Sequence, residues 1–514
     1  MILTGITATS CTISKSDLEN ILPYSPSIQL KQIFALRFLM VLLGLSGSVL
    51  AQEVPDPEVF FPNTQNIRVD SGSVLKVMEI KVSGNKKTKT YIILREMLLK
   101  EGDTIRYARL SNVLSQSKSL VYNLNLFSEV NIESVLVNDS SMLLSVNVRE
   151  KWFIYPIPQF QLTDRNFNEW VKVYHADFDR VVYGAKLVHY NVSGRGDQLK
   201  IYLINGFTRG ITFSYSTPYS NPGLTEGFHV NAGFTQNQGT PFRTTYKNAL
   251  VWYKPGGYVR NNIRLGLGYS RKRGYYKRTS YAITYQYIDV GDSVISARYN
   301  PGYFNQPKPY QSLVDLSFAF QYSRTDNINY PLKGRTYGVS VVKRGFQWNG
   351  STNMLGIAAT YNLYSPLFKK AGIFHSLQLT GRLKLPFDQS YINLRNFGYG
   401  DVNLRGLEYY VIDGVAGALA SYTVRKKLFG FKINVPFNIR QVPFIPFNFY
   451  AKSYTDAGYS YIKPALESRL NNRFLYSYGF GLDVISLYDV NVSFEYSFNQ
   501  LGENGLFLHL KGGF

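Results

Sequence analysis

From residue 152 to residue 514 the chain alternates apolar with polar or small residues in one short run after another, with turn residues between runs and no helical period. A period of two sends successive side chains to opposite faces of a strand, so this stretch is built for sheet. Ile211, Phe213 and Tyr215 alternate with Thr212, Ser214 and Ser216. Val314, Leu316, Phe318, Phe320 and Tyr322 alternate with Leu313, Asp315, Ser317, Ala319 and Gln321. Val490, Val492, Phe494, Tyr496 and Phe498 alternate with Asn491, Ser493, Glu495, Ser497 and Asn499. One face is apolar and aromatic, the other polar, which fits lipid outside and water inside.

Composition narrows the class further. The 514 residues include 41 Tyr and 34 Phe, far more ring surface than an ordinary soluble domain carries. A helical membrane protein needs apolar runs of about 18 residues or more, and the sequence has none. A soluble β-sandwich would alternate as well. Against it stand an export signal, the aromatic density expected of membrane girdles, and a final strand that runs to the last residue. In that strand Leu506, Leu508, Leu510, Gly512 and Phe514 point one way, and Phe507, His509, Lys511 and Gly513 the other. The expectation is an all-β transmembrane antiparallel barrel over 152–514. It counts 16 strands, provided that residues 276–308 form an extracellular excursion. An even number puts both barrel ends on the periplasmic side.

The one continuous apolar run, residues 38–50, follows Lys31 and Arg37 and ends in Val49, Leu50 and Ala51. Basic region, short apolar core and small-residue cleavage site together predict a signal peptide over 1–51, with residues 1–30 odd as an n-region and explained by a start site assigned too far upstream. The single cysteine, Cys11, lies before that site, so the expected mature chain has no disulfide and no thiolate metal site. Removing 1–51 takes away three basic and two acidic residues, and the net charge of +22 falls only to +21. On an exported chain, anionic outer-membrane lipids including lipopolysaccharide are the expected counterpart of that charge, not nucleic acid.

Between signal and barrel lie two further segments. Residues 52–74, with Pro55, Pro57 and Pro62, read as a linker. Residues 75–150 read as one small α+β domain of order β-α-α-β-β. Its first strand alternates Met78, Ile80 and Val82 with Val77, Glu79 and Lys81 and stops at Gly84. A first helix, from Thr88 to Gly102, would bury Tyr91, Leu94 and Leu98, and a second carries Leu110, Leu114, Val121 and Leu124. Val130 and Ile132, then Met142, Leu144, Val146 and Val148, mark the two closing strands.

A domain of this order in front of such a barrel resembles the polypeptide-transport-associated (POTRA) domain and surface-antigen-type barrel of the BamA/TamA outer-membrane protein assembly superfamily. Leu404, Arg405, Gly406 and Leu407 resemble the family's hydrophobic-Arg-Gly-aromatic tip on a long loop that folds back into the barrel. Asp456 and Gly458 resemble its Asp-x-Gly on the strand facing that tip. Lesser echoes are Thr217, Pro218 and Tyr219, and the turn Tyr330, Pro331, Leu332, Lys333 and Gly334. The family's aromatic is Leu407 here, and Thr423 stands where a second acidic residue is expected. Only one POTRA-like domain is present, where the family's main assembly protein has several.

Without the family, the residues carry a physical reading of their own. An arginine in a barrel lumen keeps its charge and prefers a bidentate carboxylate. Asp456 shares parity with Asn448, Lys452 and Tyr454, so it should point inward to Arg405. The other reading of an Arg-Gly dipeptide is an ordinary surface turn. No catalytic, cofactor or metal-ligand spacing occurs. His375 and His509 read as solvated or girdle positions, while Gly266 with Gly268 and Gly479 with Gly481 read as strand glycines beside bulky neighbours. The cluster Arg271, Lys272, Arg273, Lys277 and Arg278 reads as a lipid-phosphate site or as solvated extracellular charge.

The resemblance implies a protein without enzymatic activity, in the outer membrane of a Gram-negative bacterium with its POTRA-like domain in the periplasm. It would insert or fold unfolded outer-membrane protein clients, with other assembly-machinery subunits as partners. The alternatives are a protein-secretion pore and a passive porin or nutrient channel. The opening strand, residues 153–163, contains Pro156 and Pro158, and its neighbour ends in Gly512, Gly513 and Phe514. That pairing is expected to be a short, weak seam.

Overall fold

The computed structural model describes residues 70–163, 170–171, 174–347, 352–400, 402–435 and 444–511. The expected signal peptide, the linker up to residue 69, and Gly512, Gly513 and Phe514 lie outside the described residues. No described helix is long and apolar enough to cross a membrane.

The first domain has one more strand than expected. Its order is β1 (Val74–Ser83), α1 (Thr90–Leu94), β2 (Thr104–Arg106), α2 (Tyr107–Tyr122), β3 (Phe127–Asn138) and β4 (Ser141–Glu150). The sheet runs β2-β1-β4-β3, with β1 parallel to β4 and the other pairs antiparallel. Its core joins Leu75, Val77, Ile80, Met142, Leu144 and Val146 to Leu110 and Val121 of α2. The register slips between Val77 and Glu79, where two residues of β1 face one step of β4. That bulge turns Met78 out to solvent and restarts the inward pattern at Ile80, correcting the simple alternation expected of this strand.

The first helix is also shorter than its apolar spacing suggested. It ends at Leu94, and Ile92, Ile93 and Met97 are buried while Tyr91 is exposed. Consecutive β-branched residues lower helix propensity, and the first helical turn finds no side-chain cap at Lys89.

Sixteen antiparallel strands make the second sheet, from Ile154–Leu162 to Asn504–Lys511. Residues 277–290 are its seventh strand, paired with Arg260–Arg273 and Tyr310–Thr325, and so are not part of an excursion. Tyr281, Ile283 and Tyr285 lie exposed on one face of it and Thr284 is buried on the other, as its own alternation requires. The remainder of the expected excursion, residues 291–309, does lie outside the spanning strands, and its Val294, Tyr303 and Phe304 pack with Phe242. Further excursions are a hairpin, Thr240–Thr244 with Leu250–Tyr253, and the loop that carries Arg395–Phe397 and Ile412–Asp413; each forms a separate two-stranded sheet.

Burial is inverted relative to a soluble protein. On the fifteenth strand Asn491, Ser493, Glu495, Ser497 and Asn499 are buried, while Phe494 is exposed. On the last strand Leu506, Leu508 and Leu510 are 57%, 60% and 72% exposed, and Phe507 between them is buried. A sheet that hides its polar side chains and shows leucine outward is stable only when lipid covers its exterior. This rules out the soluble sandwich.

The small domain docks on the end of the barrel where its chain enters. The buried Glu96 carboxylate accepts hydrogen bonds from Arg95 Nη1 (2.7 Å), Lys272 Nζ (2.6 Å) and the Tyr219 hydroxyl (2.9 Å). Tyr275 donates to the Met97 carbonyl (2.9 Å), and Asn123 Nδ2 to the Thr325 carbonyl (2.9 Å). The basic cluster around Lys272 therefore sits at this periplasmic end, not in an extracellular loop. Burial, with Glu96 next to it, pushes the Tyr219 phenol up, so it stays a neutral donor. Glu96→Gln keeps a hydrogen-bonding group but leaves Lys272 and Arg95 without their counter-charge. A loss of about 1–3 kcal/mol is expected, read as faster proteolysis between domain and barrel while the barrel stays heat-modifiable on gels.

Candidate functional site

The loop between the eleventh strand, Ile373–Leu385, and the twelfth, Ala416–Asn434, opens on the end opposite the small domain. It turns back into the lumen. Asn396 Nδ2 donates to Ser460 Oγ (2.8 Å), Asn248 Nδ2 to the Val411 carbonyl (2.9 Å), and Asn499 Nδ2 to the Gly406 carbonyl (2.7 Å). Leu404 and Leu407 pack with Phe397, Ile412, Leu419, Leu470 and Leu475 in an apolar cluster inside the barrel wall. Gly406 has φ +80°, and a Cβ there would come within 2.9 Å of Ser497 Cβ. Only glycine meets both conditions at low cost.

At the tip, Arg405 and Asp456 meet. Arg405 Nε donates to Asp456 Oδ2 (3.0 Å), Nη2 to Oδ1 (2.5 Å), and the Arg405 backbone N–H to Oδ2 (3.0 Å). The carboxylate is thus clamped by both arms of the guanidinium and by the backbone, in the bidentate geometry that arginine favours. The fourth contact comes from Thr423, whose Oγ1 accepts from Nη1 at 3.1 Å. The guanidinium also lies 3.9 Å from the Tyr454 ring centroid. Gly458, two residues beyond Asp456, lets Leu404 approach: a Cβ there would lie 3.2 Å from Leu404 Cδ2.

Beside this pair lies a network that sequence reasoning did not identify. Lys452 Nζ reaches Asp483 Oδ1 and Glu495 Oε1, each at 2.5 Å, and Arg425 Nε lies 3.6 Å from Asp483 Oδ2. Parity alone put Lys452 and Glu495 on the polar face of their strands, but only the register across the thirteenth to fifteenth strands brings them together. His509 is neither solvated nor in a girdle. Its Nε2 faces Glu408 Oε1 at 3.1 Å and Glu495 Oε2 at 3.2 Å. Gly479 and Gly481 abut Tyr454 and Lys452, where side chains would collide with them.

At the seam, the first and last strands are the edges of the sixteen-stranded sheet among the described residues. Tyr190 N donates to the Phe153 carbonyl and Thr163 N to the Arg180 carbonyl. Odd-numbered residues of the first strand therefore bond the second strand, and even-numbered ones turn their N–H toward the free edge. Pro156 and Pro158 are even-numbered, so the missing donors fall on the seam side.

Residues 75–151 match the POTRA family, described as surface antigen variable number repeat. A curated outer membrane protein assembly factor BamA from Neorickettsia risticii (strain Illinois) is 27% identical over 248 residues, which are 45% of this chain and 30% of that protein. The chain thus spans less than a third of the curated relative it matches. Among solved structures, BamA from Haemophilus ducreyi lacking POTRA domains 1-3 aligns with TM-score 0.48 and 15% identity, covering 85% of this chain and 83% of that one. CdiB from Escherichia coli aligns with TM-score 0.49 and 11% identity, covering 98% and 99%. The matched POTRA domain, the likeness to an assembly factor and the lipid-facing barrel behind the domain agree: the chain is similar to the BamA-type outer-membrane assembly factors, with its barrel in the outer membrane of a Gram-negative bacterium and its POTRA domain in the periplasm.

Proposed function

We propose that this protein catalyses no reaction and instead helps other polypeptides, chiefly β-barrel clients, to enter the outer membrane. The observation that carries the reading is the seam. A first strand whose prolines face the free edge cannot complete a hydrogen-bonded closure, so it offers carbonyl acceptors that a nascent client strand can use where lipid offers none. The POTRA sheet supplies a second edge, β3, twelve residues long and unpaired on its outer side within that sheet. An unfolded client captured there by strand addition is delivered at the barrel's periplasmic rim.

The inward loop argues against a passive porin. Its tip crosses to the inner faces of the twelfth and thirteenth strands and is held by Asp456 and Thr423, so the lumen is occupied by protein. Planar-bilayer recordings should show little steady conductance, and a large, constant open state would favour the channel reading. Depletion of the protein followed by quantitative outer-membrane proteomics tests the assembly reading. Clients should fall in the outer membrane and accumulate in the periplasm. An unchanged barrel proteome with one missing secreted protein would instead support the secretion-pore alternative.

A further inference from the structure

The residue two places after Gly406, Glu408, is buried and plays no part in the Arg405 clamp. It faces His509 on the last strand and Glu495 on the fifteenth, and the three ligand atoms all lie within 4.8 Å of one another. We propose that Glu408, Glu495 and His509 form a binding site for one divalent transition ion of the zinc type, which ties the loop tip to the barrel's last strand.

Three observations support the site. The first is ligand chemistry: one imidazole nitrogen and two carboxylate oxygens suit zinc and its neighbours, whereas magnesium and calcium take oxygen ligands almost exclusively. The second is spacing. Bonds of about 2.0–2.2 Å to a tetrahedral ion put neighbouring ligand atoms roughly 3.3–3.5 Å apart, and His509 Nε2 already lies 3.1 Å from Glu408 Oε1 and 3.2 Å from Glu495 Oε2. One Nε2–H cannot point at both oxygens at once, but an ion between the three serves both. The third is the outer support of one ligand. Lys452 holds Glu495 by Oε1, which fixes the carboxylate and presents Oε2 to the site, as outer hydrogen bonds commonly orient metal ligands.

The placement gives the ion a structural part. Glu408 belongs to the loop, Glu495 to the fifteenth strand and His509 to the edge strand of the seam, so a bound ion would crosslink all three.

The test uses the full chain, purified in detergent and stripped with chelator, then titrated with cobalt(II) and zinc(II). One cobalt per chain should bind with the visible absorption of a tetrahedral ion, and zinc should displace it. His509→Gln and Glu408→Gln should each weaken binding by about tenfold or more while the barrel remains heat-modifiable on gels. His509→Cys, which restores a ligand, should keep one ion and add a thiolate-to-cobalt charge-transfer band. Absence of stoichiometric binding, or binding unchanged in His509→Gln, would overturn the site and leave His509 as a proton-bearing bridge between two carboxylates.

Discussion

Arg405→Ala is expected to free the inward loop without unfolding the barrel. Asp456 is 1% exposed and receives three hydrogen bonds from Arg405, so the substitution leaves a buried carboxylate with none of its side-chain donors from the loop. Removing one partner of a buried pair costs about 3–5 kcal/mol, chiefly because the remaining charge is uncompensated. The apolar cluster of Leu404 and Leu407 resists the release only in part. External protease should then cut the loop, client assembly should fall, and the barrel band should persist. Asp456→Asn should give the same phenotype, and the double variant should be no worse than the more severe single one. Strictly additive losses would remove the pair from the mechanism. Thr423→Val serves as the control, because it removes one neutral acceptor and should cost roughly 1 kcal/mol.

Lys452→Met should be more damaging still. Its ammonium is almost wholly buried between Asp483 and Glu495, at 2.5 Å from each. Methionine fills the same space but leaves two buried carboxylates facing one another, with Arg425 at 3.6 Å as the cation nearest Asp483 in this group. The expected loss exceeds the roughly 3–5 kcal/mol of a single broken pair. The readout is the temperature at which the folded band disappears on semi-native gels. Combining Lys452→Met with Asp483→Asn and Glu495→Gln should recover most of the loss, since neutral side chains tolerate the missing cation. Failure of that rescue would mean that Lys452 acts through packing and not through charge.

The large features of the fold were legible because they depend on local patterns. Alternation over two residues identified the strands, and the exposed Leu506, Leu508 and Leu510 against buried Phe507 follow the faces written in the last strand. The meeting of Arg405 with Asp456 was also legible, since parity sets the direction of one and a glycine-permitted fold-back the reach of the other. What stayed hidden depends on register and on distance through space. A bulge at Met78 adds one residue with no signature in the sequence and changes which side chains point inward. The strand at 277–290 alternates well, yet its turn Gly274, Tyr275 and Tyr276 gives no sign of which end of the barrel it occupies. His509 became part of the site only because two strands and a loop more than eighty residues upstream converge on it. Glu96 reads as one acidic residue in a helical stretch, and its partners Lys272 and Tyr219 are set by how the domain docks.

If client strands enter through the seam, a reversible lock across it should stop them. The described barrel contains no cysteine, so single pairs placed in Ile154–Leu162 and Asn504–Lys511 report on that junction alone. The locked protein, reconstituted in liposomes, would be offered an unfolded β-barrel client, and the rate of client folding followed before and after reduction. Acceleration by the reduced protein is expected, with its loss on oxidation and full recovery with dithiothreitol. Equal acceleration by the fully crosslinked and the reduced protein would contradict entry through the seam.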